Sequence, residues 1–144
     1  MRIARSYMSA LVELACVDPA LVRAFWPHVA PLLKAAVERT NLGTFQEIED
    51  SVLDGDGLLW IATVDRKIAA AATTLLVKCE HGLVCVITAC GGNDMGQWLP
   101  LIQGIEKYAK AENCMSLRIF GRPGWQRALE GYDVTNIVLE KGLA

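Results

Sequence analysis

The chain has 144 residues, 53% of them hydrophobic and 21% charged, and a formal net charge of −2. That length suits one domain spanning residues 1–144 around a single core, and the composition excludes a disordered chain. The slight acidity and the lack of a basic cluster argue against a nucleic-acid partner, and no apolar run approaches the roughly 18 to 20 residues of a membrane helix.

Residues 1–17 open with a basic stretch and an apolar one. Glu13 interrupts the apolar part, and Asp18-Pro19 is no small-residue cleavage site, so the segment reads as folded protein and not as a signal peptide. Leu11, Leu14 and Ala15 have helical spacing. Asp18 followed by Pro19 is a helix start, an N-cap acceptor before a proline at the first position. Leu21, Val22, Phe25, Val29, Leu32, Leu33, Ala36 and Val37 continue at helical spacing. Pro27 and Pro31 each remove a backbone donor, which predicts a kink or a broken pair of helices. Thr44 and Glu47 form a capping box for a second, short helix that presents Phe45, Ile48, Val52 and Leu53.

The texture then changes to strands. Residues 58–64, 68–77 and 83–89 are strand candidates separated by the short polar turns 65–67 and 80–82, which predicts an antiparallel meander. Four consecutive alanines, Ala69 to Ala72, suit a place where a helix packs closely on the sheet. Residues 90–94, Cys-Gly-Gly-Asn-Asp, are expected to break the third strand. A helix over 97–112 carries Trp98, Leu101, Ile102, Ile105 and Ala109 on one stripe. Pro100 is placed in its first turn, and Asn113 is its C-terminal cap. A strand over 115–120, a short helix over 125–129 and a last strand over 134–139 complete the chain. A full helix separates strands 83–89 and 115–120, so these two are expected to be parallel.

This order resembles the GNAT family of coenzyme A-dependent N-acyltransferases over roughly residues 18–142. Residues 96–113 carry the best local match. Leu101 and Ile102 fall where the family has a leucine pair, and residues 105–110, Ile-Glu-Lys-Tyr-Ala-Lys, look like the end of the helix after its cofactor loop. Residues 129–132, Leu-Glu-Gly-Tyr, look like the Leu-x-Gly-Phe element before the last strand. In overall texture the chain is also similar to small GNAT-like proteins of bacteriophages and prophages. The resemblance implies an α/β (α+β) fold with N-terminal helices and a mixed central sheet, in which an antiparallel meander adjoins one parallel, splayed pair. It implies acetyl-CoA or another acyl-CoA as the cofactor, and a small-molecule or protein amine as the acceptor. A homodimer is left open.

Such a loop turns successive backbone N–H groups toward one concavity beside a helix N-terminus, which holds a pyrophosphate without a cationic side chain. The resemblance therefore implies a cofactor site made of Ala89, Cys90, Gly91, Gly92, Asn93 and Gly96, joined by Arg122 beyond the fourth strand. The departures are specific. Trp98 takes the second small position of the family's Gly-x-Gly, Asn93 stands where Arg or Gln is usual, and Arg127 stands where a tyrosine acid is frequent. Asp94 reads as a helix cap.

Other groups have two readings each. Cys90, at a strand end near a helix N-terminus, is a reactive thiol or a buried inert one. Arg118 alternates with Leu117 and Ile119, and either meets an acidic ligand or forms a surface ion pair. Glu47, Glu49 and Asp50 stand near the expected cleft, but none is singled out as a base, so the catalytic residues stay unassigned. Five cysteines at irregular spacing, Cys16, Cys79, Cys85, Cys90 and Cys114, suggest a reduced, cytoplasmic protein with neither a disulfide framework nor a metal site. Two functions follow. One is an acyl-CoA-dependent N-acyltransferase with a divergent cofactor loop. The other is a non-catalytic binding or assembly protein of the same fold.

Overall fold

The computed structural model describes residues 12–92, 95–121 and 123–144. Among these residues five strands form one sheet in sequence order: β1 (Val12–Cys16), β2 (Leu58–Val64), β3 (Lys67–Cys79), β4 (Gly82–Gly92) and β5 (Ser116–Ile119). The first three pairings are antiparallel, and β4 with β5 is parallel. The predicted meander and the parallel pair are both present.

The α-helices among the described residues flank the sheet: α1 (Val22–Thr40), α2 (Phe45–Leu53) and α3 (Met95–Ala111). Period-two alternation along the strands makes two apolar faces. Leu59, Ile61 and Ala71 pack with Val29 and Leu33 of α1 and Val52 of α2. Trp60, Ala62, Ala70 and Ala72 pack on the other face with Leu101, Ile102 and Ile105 of α3. The four alanines thus lie in a central strand with a helix over each face, where small side chains permit close approach. No helix among the described residues is long and apolar enough to cross a membrane.

Local signals account for most helix ends. The Asp18 carboxylate accepts from the Ala20 N–H at 2.9 Å, starting a 3-10 turn that leads into α1. Asn41, in the left-handed region at φ 50°, ends α1 with its N–H on the Val37 carbonyl. The Thr44 hydroxyl accepts from the Glu47 N–H at 3.2 Å, the first half of the expected capping box. Asn113, at φ 61°, follows α3 as its cap. The Trp26 indole donates to Glu49 at 2.7 Å and its ring stacks on Phe45 at 5.8 Å, which ties α1 to α2.

Several expectations are corrected. Residues 12–16, whose short helical spacing left their structure ambiguous, form an edge strand paired with β2; pairing with a formed neighbour outweighs that spacing. Pro27 and Pro31 do not divide α1. Both rings are exposed, so the carbonyls they deprive of donors lie on the side open to water. β4 continues through Cys90, Gly91 and Gly92, paired with Ala72, Ala71 and Ala70, and does not break there. α3 begins earlier than expected, at Met95, which puts Pro100 beyond its first turn. The short helix is a 3-10 segment, Pro123–Arg127. Residues 134–139 make no strand: Val134, Ile137, Val138 and Leu139 are 63 to 87% exposed.

Candidate functional site

The site begins with an irregularity in β4. Thr73 of β3 faces Ala89 and Thr74 faces Ile87, which leaves Thr88 as one extra residue, a β-bulge. Its hydroxyl donates to the Thr73 carbonyl at 3.2 Å, so the Thr73 hydroxyl is the donor in the 2.7 Å contact between the two side chains. The bulge shifts the alternation by one. Cys85 and Ile87 face α3; past the bulge Cys90 faces α3, and Ala89 faces α1.

The bulge also marks where β4 and β5 part. Their parallel ladder runs from Val84 with Ser116 to Ile87 with Ile119 and stops. β4 continues to Gly92 with β3 on one side and, among the described residues, no strand on the other. A bulged strand bends and twists more strongly, so its far end leaves the plane of its neighbour. The wedge opens into a cleft of about 370 Å³. Thr88, Ala89 and Cys90 form one side, and Ile119, Phe120 and Trp125 the other. The end of α1 and the start of α2 close it with Arg39, Thr40, Thr44 and Glu47, while Val138 of the C-terminal segment reaches its rim.

The residues expected to hold a cofactor separate into groups. Ala89 and Cys90 line the cleft. Gly91 and Gly92 end β4, and each is explained by packing. A Cβ on Gly91 would collide with the Leu32 carbonyl of α1, and one on Gly92 would lie 2.9 Å from the Ala70 Cβ. Their missing side chains therefore admit protein. Gly96 is in the first turn of α3. Asn93, Asp94, Arg122 and the side chain of Trp98 lie outside the described residues. Arg118 is exposed and not in the cleft, and Arg127 is exposed at the end of the 3-10 segment.

Cys90 is a buried thiol. Burial pushes its pKa from 9.0 up to about 12, so it is protonated at neutral pH and poorly suited to nucleophilic chemistry. Among the three carboxylates of α2, Glu49 accepts from Trp26 and Asp50 accepts from Gln46 at 2.9 Å. Glu47 faces the cleft. Its Oε2 would lie 3.6 Å from a Cβ on Gly43, so the side chain folds back over the turn between α1 and α2. Arg39 carries no sequence signal as a site residue, because it ends an amphipathic helix, whereas Glu47 was one of three carboxylates expected near the cleft and not singled out among them. The bulge had one faint signal, a threonine interrupting the apolar run of β4.

No family model and no curated protein sequence matches the chain. Solved structures do. The chain is similar to a predicted acetyltransferase from Clostridium acetobutylicum solved with acetyl-CoA, at 14% identity and TM-score 0.64 over 92% of this chain and 96% of that one. It is similar to an aminoglycoside acetyltransferase from an uncultured soil metagenomic sample, solved with sisomicin, at 11% identity and TM-score 0.66 over 92% and 97%. A GNAT family acetyltransferase from Staphylococcus aureus matches at 13% identity and TM-score 0.61 over 92% and 98%. The chain has the GNAT fold.

Proposed function

We propose that this chain is an acyl-CoA-dependent N-acyltransferase whose reaction takes place in the wedge between β4 and β5. The observation that carries this reading is the end of the parallel ladder at Ile87 and Ile119, beside the Thr88 bulge. It frees one edge of β4 within a cleft, on a fold whose similar structures were solved with acetyl-CoA and with CoA. The bound coenzyme would supply an activated acyl thioester. The free edge of β4 over Thr88, Ala89 and Cys90 fits the narrow acyl-bearing arm: N–H groups along it are donors for a carbonyl and need no rearrangement. Glu47 is the carboxylate placed to take a proton from the attacking amine, directly or through water.

The pyrophosphate end of the ligand is assigned to Asn93, Gly96 and Arg122. Gly91 and Gly92 shape the end of β4 by close packing, and their backbone N–H groups belong to the same cofactor site. A reduced, cytoplasmic setting belongs to the same reading and is supported by five free cysteines. The resemblance to phage-encoded proteins is tested by the genes that flank this one.

Titration calorimetry with acetyl-CoA is the first test; binding is expected in the micromolar range, and no heat at millimolar ligand removes the proposal. Glu47→Gln then tests the chemistry. Losing a general base lowers kcat by about 10²- to 10⁴-fold, while acetyl-CoA binding stays unchanged. A full-rate variant would take the base role from Glu47. The competing reading is a non-catalytic binding protein of the same fold. The exposed apolar side chains of Val134, Ile137, Val138 and Leu139 favour it, since such segments mark partner contacts. Acetyl-CoA binding without transfer to any amine would favour that reading.

A further inference from the structure

The cleft has an unusual charge balance. Among its described lining residues only Arg39 and Glu47 are charged. They stand at opposite ends of one turn, Arg39 in the last turn of α1 and Glu47 in the first turn of α2. Neither side chain has a hydrogen-bond or ion-pair partner among the described residues, whereas the neighbouring carboxylates Glu49 and Asp50 are both engaged. The remaining described lining is apolar, apart from the threonine hydroxyls, the Cys90 thiol and the Trp125 indole.

One cation and one anion facing the same small space define a dipolar site. We infer that the acceptor is a small zwitterion, an amino acid or a close derivative, whose carboxylate pairs with Arg39 and whose amine is delivered to Glu47. This rests on the acyltransferase reading above and adds the substrate class. A guanidinium presents paired N–H donors that match a carboxylate. A carboxylate at the other end attracts the ammonium form of the amine and then receives its proton. A polycationic acceptor fits less well: one carboxylate serves one ammonium, and Arg39 repels the others. Size agrees. About 370 Å³ lies near the small end of ligand pockets, and the acyl group must share it.

The test compares matched amines with acetyl-CoA as donor: amino acids, the corresponding amines without a carboxylate, and a polyamine. Loss of a charge-assisted contact at a partly exposed site should lower kcat/KM by about tenfold for the carboxylate-free amines. The loss is expected in KM and not in kcat, because Arg39 binds and does not react. In Arg39→Gln the preference for the amino acid should collapse toward one, and Arg39→Lys should restore part of it. A merely structural role for Arg39 would lower all amines alike. Equal turnover with and without the carboxylate, or a clear preference for the polyamine, overturns this inference and leaves the acyltransferase reading standing. Acetyl-CoA binding with no transfer to any amine overturns both.

Discussion

At the scale of single residues, the informative positions are those whose role depends on a distant neighbour. Gly91 resembles a turn glycine when read along the chain. In the fold it lies in a paired strand, pressed against the Leu32 carbonyl. The obstacle is helix backbone, which cannot swing aside. Gly91→Ala is therefore expected to destabilise the protein by about 1–3 kcal/mol, the usual cost of overpacking. Urea denaturation measures it, and an unchanged midpoint would show that α1 yields. Thr88 makes a similar point. Its residue type fits any strand, and its function as a bulge appears only when Thr73 and Thr74 are set opposite Ala89 and Ile87. Glu47 was legible as the second half of a capping box, but among the described residues only the Thr44 half forms, and Glu47 lines the cleft instead.

At the scale of elements, α1 shows how tertiary packing outweighs local preference. Its buried stripe of Val22, Trp26, Val29, Leu33, Ala36 and Val37 follows helical spacing and covers one face of the sheet. Burial of such side chains contributes about 1.5–3 kcal/mol each for the larger ones. That total exceeds the roughly 3 kcal/mol that each interior proline costs. Both prolines are exposed, so neither carries the packing. Pro31→Ala restores a backbone donor and should stabilise the protein by about 1–3 kcal/mol, read as a rise in the thermal midpoint. A fall would mean that the helix needs its proline geometry. β4 shows the complementary effect. Its glycines were expected to end it, yet β3 provides partners as far as Gly92, so the strand persists.

At the scale of the whole molecule, the apolar groups pack on both faces of the sheet and several ionisable ones are buried with them. Burial pushes the Cys85 thiol up to about 11, with Cys114 adding to it, and the Cys90 thiol up to about 12. The Tyr108 phenol, against Trp60, is pushed up to about 12, again chiefly by burial. All three are neutral in the fold and ionise more easily once it opens. Their contribution to stability is complete below about pH 9 and is lost as the pH rises toward 12. Denaturation midpoints measured from pH 7 to 11 are expected to hold to about pH 9 and then decline. Cys90→Ala should soften the decline, and an identical decline in that variant would exclude Cys90 as a contributor.

Sequence alone determined the pieces that local chemistry controls. The Asp18-Pro19 start, the Thr44 cap and the short turns around β2 and β3 each depend on a few adjacent residues, and the order of elements they imply was enough to indicate the GNAT fold. The tertiary structure decided the rest. It placed the bulge at Thr88, carried β4 through its glycines, filled the space beside Gly91 and Gly92 with protein, and left residues 134–139 outside the sheet. It also placed Arg39, which the sequence left unremarked, and Glu47, one of three candidate carboxylates, along one cleft. The physical reason is range. Caps and turns are satisfied within a few residues, whereas strand register, close backbone approach and the sharing of a cleft are set by partners that the fold brings together from distant parts of the chain.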